Sequence, residues 1–132
     1  MKKQDNIFIL KREGGTMKEH HEQVRLIAWA KANEDEKTEL RWLFAIPNGG
    51  KRDKVTGFKM KQEGVKSGVP DLCLPVPRRG YHGLYIEMKI QDGGVVSDNQ
   101  KKWKKALEEQ GYRVEICPGF EAARATLENY LS

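Results

Sequence analysis

The sequence predicts a single α/β domain, in which a mixed central β-sheet is flanked by helices. Three observations predict this class: segments with helical spacing occur among short apolar runs, one of those runs alternates with period two, and turn residues separate the segments. The length of 132 residues fits one domain, which we place at residues 17–132. Residues 1–16 are interpreted either as a non-native extension upstream of a start at Met17, or as a short N-terminal strand or arm.

The first half of the chain begins with a helix. Glu19, Gln23, Leu26 and Ala30 recur at helical spacing, which predicts a helix over residues 18–33. Four segments are predicted to follow in order: a strand over 40–46, a turn over 47–50, an exposed loop over 51–57 and helical turns over 58–63.

The second half contains the clearest strand pattern. Residues 84–90 alternate so that apolar side chains face one way, while Tyr85, Glu87 and Lys89 face the other. Ser97 is a suitable N-cap for a helix that extends to about residue 110, and Gly111 fits its C-terminal stop. The other predicted elements are a strand over 72–76 that pairs with 84–90 through a hairpin loop, a strand over 112–117 and a helix over 120–131.

Composition and charge limit the classes of function. A net charge of +5 and a pI near 9.2 favour polyanionic partners such as nucleic acid. No stretch is apolar enough to span a membrane, and no secretory signal precedes the first helix. Because Cys73 and Cys117 form no CxxC pair, we expect a reduced, cytoplasmic protein of a bacterial or phage-infected cell. Three scattered histidines do not predict a zinc site, and no phosphate-binding P-loop or nucleophile elbow is present.

Carboxylates and an amine converge on two neighbouring predicted strands. Asp71 follows Pro70 and opens one strand, whereas Glu87 and Lys89 lie two apart on the next and therefore share a face. Carboxylate oxygens are hard ligands suited to Mg²⁺ or Mn²⁺, and a lysine beside such a metal can position water or stabilise developing charge. The alternative is a surface strand with an inconsequential Glu–Lys pair.

These residues belong to an ordered set of motifs that resembles the VRR-NUC domain of the PD-(D/E)xK nuclease superfamily. The set comprises Glu19-x-x-x-Gln23, PNGG at 47–50, GVKSGVPD at 64–71, GLYIEMK at 83–89, Ser97-x-x-Gln100 and Gly111-Tyr112. The resemblance implies a restriction-endonuclease-like fold and metal-dependent cleavage of DNA, leaving a 5′-phosphate. Small stand-alone members of the family look like phage or prophage proteins that act on branched DNA.

The resemblance also implies roles for individual residues. Asp71 and Glu87 would ligate Mg²⁺ or Mn²⁺ together with the Met88 carbonyl, and Lys89 would be the catalytic lysine. A further acid is expected on the first helix. Glu19 matches the family spacing and is favoured, while Glu22 lies one turn further along the same face and remains an alternative.

Polar and basic residues around this constellation form a second group of candidates. Gln100 begins the inward stripe of its helix, where a polar side chain needs a partner. The resemblance implies that it approaches the metal site, and a hydrogen bond to backbone is the alternative. Lysines crowd the first half of that helix against its macrodipole, which predicts phosphate binding, or else a solvated face with Lys–Glu pairs. These lysines are Lys101, Lys102, Lys104 and Lys105. Lys66 and Asn48 are expected to meet DNA from turns, although either turn could be purely structural.

The expected function is therefore a Mg²⁺- or Mn²⁺-dependent DNA endonuclease that acts on branched DNA, such as four-way (Holliday) junctions. A non-catalytic nucleic-acid-binding module with a vestigial nuclease fold is the alternative, and a single-strand nuclease within a replication machine is a third reading. Two matched nicks in a symmetric junction require two sites, so we expect a homodimer. Candidate interface residues, which could instead fill the core, are Trp42, Phe44, Leu127, Tyr130 and Leu131.

Overall fold

A computed structural model describes residues 15–47, 54–90 and 94–132 and confirms the predicted α/β class. In chain order its elements are α1 (Gly15–Asn33), a 3-10 helix (Thr38–Trp42), β1 (Phe44–Ala45), α2 (Lys54–Gln62), β2 (Leu72–Leu74), β3 (Leu84–Lys89), α3 (Asp98–Glu109), β4 (Arg113–Pro118) and α4 (Phe120–Leu131).

The four strands form one sheet in the order β1-β2-β3-β4. β1 pairs antiparallel with β2, and β2 pairs antiparallel with β3, with Leu72 opposite Ile86 and Leu74 opposite Leu84. The hairpin predicted between the two central strands is therefore confirmed.

β4 enters the sheet beside β3 and runs in the same direction. The His82 amide donates to the Gly111 carbonyl at 2.9 Å, and the Arg113 amide donates to the Gly83 carbonyl at 3.0 Å. These bonds bring the starts of the two strands together, and α3 supplies the crossover that parallel strands need. The sheet is therefore mixed, as predicted.

The described residues form two compact units. One contains the segments 42–47, 54–87 and 96–115 and buries Leu72, Leu74, Leu84 and Ile86. The other contains residues 15–41, 88–90, 94–95 and 116–132. In this second unit α1 packs on α4, and the buried side chains include Leu26, Ala30, Leu127 and Tyr130. Because Leu127 and Tyr130 are fully buried in the chain, the alternative that they fill the core is correct for these two residues, and they are not available to a dimer interface.

Two local predictions in the first half are wrong. Residues 40–42 form part of a 3-10 helix, and the strand shrinks to Phe44–Ala45. In a strand Leu40 and Trp42 would share a face, whereas Leu40 is 2% exposed and Trp42 is 61% exposed. The loop predicted over 51–57 is also wrong from residue 54 onward, because α2 begins at Lys54.

The second-half elements follow their sequence signals closely. Ser97 caps α3, and the helix is followed by Gly111 at φ +94°, a conformation that favours glycine. A Cβ at position 111 would lie 2.5 Å from the His82 ring, so the close approach also requires glycine. No helix in the described part of the chain is long and apolar enough to cross a membrane.

Candidate active site

The register between β2 and β3 brings the two candidate metal ligands together. Leu72 lies opposite Ile86, so the same antiparallel register continued by one residue places Asp71 opposite Glu87. The Asp71 carbonyl accepts the Ile46 amide at 2.8 Å, which extends the β1 pairing through this residue and fixes its backbone. Opposed residues on antiparallel strands share one face and have Cβ atoms about 4.5–5.5 Å apart. The two carboxylates are therefore cross-strand neighbours.

Glu87 is held in the structure by a glutamine. Its side chain is 5% exposed, and its Oε2 accepts Gln100 Nε2 at 2.7 Å. A short bond from an amide to a carboxylate is charge-assisted, which makes it stronger than a neutral one. The bond fixes the orientation of the Glu87 carboxylate on the face it shares with Asp71.

A capping box fixes Gln100 in turn. The Ser97 amide donates to Gln100 Oε1 at 2.9 Å, and the Gln100 amide donates to Ser97 Oγ at 3.1 Å. Because Oε1 already accepts the Ser97 amide, the Nε2 end of the side chain is turned toward Glu87. The bond to backbone considered for Gln100 is therefore present at one end of its side chain, and the other end bonds Glu87, a candidate ligand.

The turn that precedes Asp71 lies against the first turn of α3. Asn99 Nδ2 donates to Ser67 Oγ at 3.3 Å. Gly68 has φ +92°, and a Cβ there would lie 2.6 Å from both the backbone carbon and the Cβ of Asn99. Only glycine fits this approach without movement of the helix start. Sequence reasoning did not find the contact, because the two segments lie 32 residues apart.

Lys89 is buried by the segment that follows β3. Its side chain is 9% exposed, and Nζ donates to the Val95 carbonyl at 2.8 Å. A Cβ at position 94 would lie 3.0 Å from Lys89 Cβ and 3.2 Å from Lys89 Cδ, so Gly94 permits the chain to pass closely over the lysine stem. Gly94 and Val95 therefore set the position of this amine, a role that the sequence alone did not indicate.

The structure gives Glu22 a partner on α4. Gly119, the residue before the helix, supplies no side-chain cap, and Glu22 Oε1 accepts the Phe120 amide at 2.7 Å. Glu22 Oε2 lies 3.5 Å from Arg25, whose guanidinium sits 4.6 Å from the centroid of the Phe120 ring. Glu22 thus caps a helix, which favours Glu19, half-buried on α1, as the helical acid.

The described candidate DNA-binding residues are exposed, except Lys104, which is half-buried. Lys66 is exposed in the turn before Asp71. Lys104 donates to Glu108 at 2.6 Å, which is a Lys–Glu pair of the kind expected if this face is only solvated. Lys101, Lys102 and Lys105 are exposed on α3. Asn48 lies outside the described residues, so its role stays a prediction.

Burial keeps the sulfur and phenol groups beside the site protonated. Burial raises the pKa of the Cys73 thiol, and it also raises the pKa of the opposing Tyr85 to about 12, with the Cys73 and Tyr112 charges adding to the shift. A thiol held protonated is a poor metal ligand. Within the described segments no three His, Cys, Asp or Glu side chains form a metal-binding group. Mg²⁺ suits the pair Asp71 and Glu87 even so, because it commonly takes one or two carboxylates and completes its shell with water and substrate phosphate.

Comparison with known proteins identifies a family for this arrangement. The sequence model of the VRR-NUC domain matches residues 12–121. The chain is also similar to a solved structure described as a VRR_NUC domain protein, with 24% identity over 87% of this chain and 90% of that chain. The TM-score is 0.72, so the two share a fold. No curated protein matches the chain.

Proposed function

This chain belongs to the VRR-NUC domain family, which implies a nuclease-type function, and we propose that it is a Mg²⁺- or Mn²⁺-dependent DNA endonuclease. It hydrolyses phosphodiester bonds and acts preferentially on branched DNA, such as four-way junctions. Its basic charge fits that substrate.

Burial of charge on β3 is the observation that carries the proposal. Glu87 and Lys89 are the buried charged side chains among the described residues, and they lie two apart on one strand. Even where buried charges are paired and hydrogen-bonded, their desolvation offsets much of what the pairing gains, so stability alone gives little reason to place them here. Family resemblance gives the same two residues the roles of metal ligand and catalytic lysine.

Each site residue has a task in the proposed reaction. Asp71 and Glu87 would hold the cation across the strand pair, with the Met88 carbonyl as a further ligand. A bound Mg²⁺ or Mn²⁺ polarises the phosphodiester and lowers the pKa of a bound water. Gln100 keeps the Glu87 carboxylate in one orientation. Lys89, placed by the Val95 carbonyl, orients the attacking water or stabilises charge that develops on the phosphate.

Glu19 completes the proposed set as the acid of α1. Glu22 serves α4 through its bond to the Phe120 amide, so it is less suited to the reaction. Lys66 and the α3 lysines bind DNA phosphates on either side of the scissile bond, and Asn48, which lies outside the described residues, contacts the DNA backbone.

The proposed assembly is a homodimer, in which each copy makes one of the two nicks. β1 is an edge strand of the sheet, and both of its residues are exposed. Trp42 and Phe44 are 61% and 48% exposed, and they present an apolar surface at that edge. Such an edge can pair with the same edge of a second copy about a two-fold axis.

The proposal is tested by a cleavage panel of linear, flap, fork and four-way DNA with Mg²⁺, Mn²⁺ or EDTA. We expect metal-dependent cleavage with a preference for the four-way junction. Tight binding without cleavage in any metal would favour a non-catalytic nucleic-acid-binding module instead. Sedimentation equilibrium tests the dimer: the wild type should dimerise, and Phe44→Lys should shift it toward monomer.

A further inference from the structure

Helix α2 exposes apolar side chains where stability would bury them. Val55 and Phe58 are 64% and 61% exposed, and they lie three residues apart on one face of the helix. Exposed Lys59 and Gln62 extend the same face, while Gly57 and Met60 on the opposite side are half-buried. We call Val55, Phe58, Lys59 and Gln62 the α2 face. Val55 and Phe58 together form a contiguous exposed apolar patch, and such patches commonly mark interaction sites.

The charge around the α2 face indicates the chemistry of that partner. Residues 54–66, which comprise α2 and the segment after it, contain four basic residues and one acidic residue, a net charge of +3 in a chain whose net charge is +5. A second copy docked through the same face would bring the Lys59 side chains of both copies into one interface, and like charges repel. A polyanion gains from the same charges, so nucleic acid fits this surface better than another copy of the chain.

The α2 face is close enough along the chain to share one DNA with the proposed cleavage site. α2 ends at Gln62, and Asp71 follows nine residues later in the same compact unit. Nine residues span at most about 30 Å, which is less than one turn of B-form DNA. Lys66 lies exposed on the segment between them.

We propose that the α2 face binds DNA away from the scissile phosphate, with Phe58 stacked on a base whose face is no longer covered by a neighbouring base. This inference rests on the proposed function. Phosphates need lysines and not a phenyl ring, whereas an aromatic ring stacks on the face of any base that is free. Base faces become free where pairing is interrupted, as at a branch point or an unpaired tract. Phe58 thus selects interrupted DNA, and Lys59 and Lys61 hold its backbone.

The test compares two DNAs of equal length and phosphate number, one fully paired and one with a central unpaired tract, bound in Ca²⁺. Wild type should bind the interrupted DNA more tightly. Phe58→Ala should lose at least about fivefold in affinity for the interrupted DNA and less than about twofold for the duplex, because stacking contributes ~1 kcal/mol or more per base. Phe58→Trp should retain the preference, whereas Phe58→Leu, which is apolar but cannot stack, should lose it.

Two further variants separate stacking by Phe58 from charge and from the loss of another exposed ring. Lys59→Gln with Lys61→Gln should weaken binding of both DNAs alike and lower the salt slope by about 0.9 per lost phosphate contact. Tyr81→Ala, which removes an exposed aromatic ring from the loop between β2 and β3, should leave the preference for interrupted DNA unchanged.

Several results would overturn the inference. These are equal losses on both DNAs in Phe58→Ala, full retention in Phe58→Leu, no preference in wild type, or a change of oligomeric state in Phe58→Ala by sedimentation. These results would count against DNA binding by the α2 face without counting against the endonuclease activity. Phe58→Ala should still cleave linear DNA in Mg²⁺ or Mn²⁺, and a wild type that cleaves nothing would remove the endonuclease proposal whatever Phe58 does.

Discussion

Replacing Gln100 with alanine removes the link between α3 and the Glu87 carboxylate. The bond from Nε2 to Glu87 Oε2 is 2.7 Å long and reaches a carboxylate that is 5% exposed. Hydrogen bonds to charged groups contribute about 1.5–3 kcal/mol, and the exposed capping bond to the Ser97 amide adds about 0.5 kcal/mol. We therefore expect Gln100→Ala to lower the free energy of unfolding by about 2–3 kcal/mol without metal.

Stability measured with and without metal distinguishes a purely structural role of Gln100 from a role at the candidate metal site. Losing a partner that orients a metal ligand typically costs about 10–100-fold in metal affinity. At a fixed Mn²⁺ concentration that saturates wild type, the stabilisation by Mn²⁺ should fall by about 1.4–2.7 kcal/mol in the variant. Urea denaturation with and without Mn²⁺ measures both quantities on the same samples.

The matched control is Gln110→Ala, which changes the exposed C-cap glutamine of the same helix and should shift stability by less than about 0.5 kcal/mol. The reasoning is refuted if Gln100→Ala loses less than about 0.5 kcal/mol without metal. It is also refuted if the variant keeps the full Mn²⁺ increment of wild type.

Three further predictions concern a helix cap, a glycine and the α3 lysines. Glu22→Ala should lower the free energy of unfolding, measured in urea, by about 1–2 kcal/mol, because the Phe120 amide loses a charged acceptor. Unchanged stability with abolished cleavage would instead make Glu22 the active-site acid. Gly68→Ala should lower the free energy of unfolding by about 1–3 kcal/mol and weaken Mn²⁺ binding measured by calorimetry. Gly64→Ala, also at positive φ but with nothing within 4 Å of its Cβ, should lower it less, and equal losses would exclude the contact between Gly68 and Asn99. The third prediction concerns Lys101, Lys102, Lys104 and Lys105. Changing all four to glutamine should lower the log–log slope of DNA affinity against salt by about 0.9 per lost phosphate contact, and an unchanged slope would mean that this surface does not bind DNA.

Elements with strong local signals were predictable from the sequence. α3 has a serine cap at one end and a glycine at the other, and β3 has an alternating pattern, so neither needed tertiary information. α2 was partly missed because Val55, Thr56 and Gly57 are weak helix formers that suggest a loop. The 3-10 helix was missed because burial of Leu40 alone decides that segment, and a single buried side chain leaves no period to detect.

The candidate site was predictable where it depends on neighbouring strands. The alternating pattern of β3 placed Glu87 and Lys89 on one face of the strand, and the predicted hairpin between β2 and β3 placed Asp71 beside them. Contacts between segments distant in sequence could not be predicted. Glu22 reaches the Phe120 amide across 98 residues, and the closeness of Gly68 to Asn99 depends on how a turn packs on a helix. The only local hint for Glu22 was the missing polar cap before α4.

Cleavage of a four-way junction by wild type, Asp71→Asn and Glu87→Gln, measured with Mg²⁺ and with EDTA, tests the central claim most directly. Glu109→Gln, an exposed glutamate of α3, is the matched control. We expect wild type and the control to cleave with Mg²⁺ and not with EDTA, and we expect no cleavage by the two site variants. Those variants should bind the junction as tightly as wild type or more tightly, because negative charge near phosphate is lost. Full cleavage by either site variant, or cleavage by wild type in EDTA, would contradict the assignment of a metal site to this pair of carboxylates.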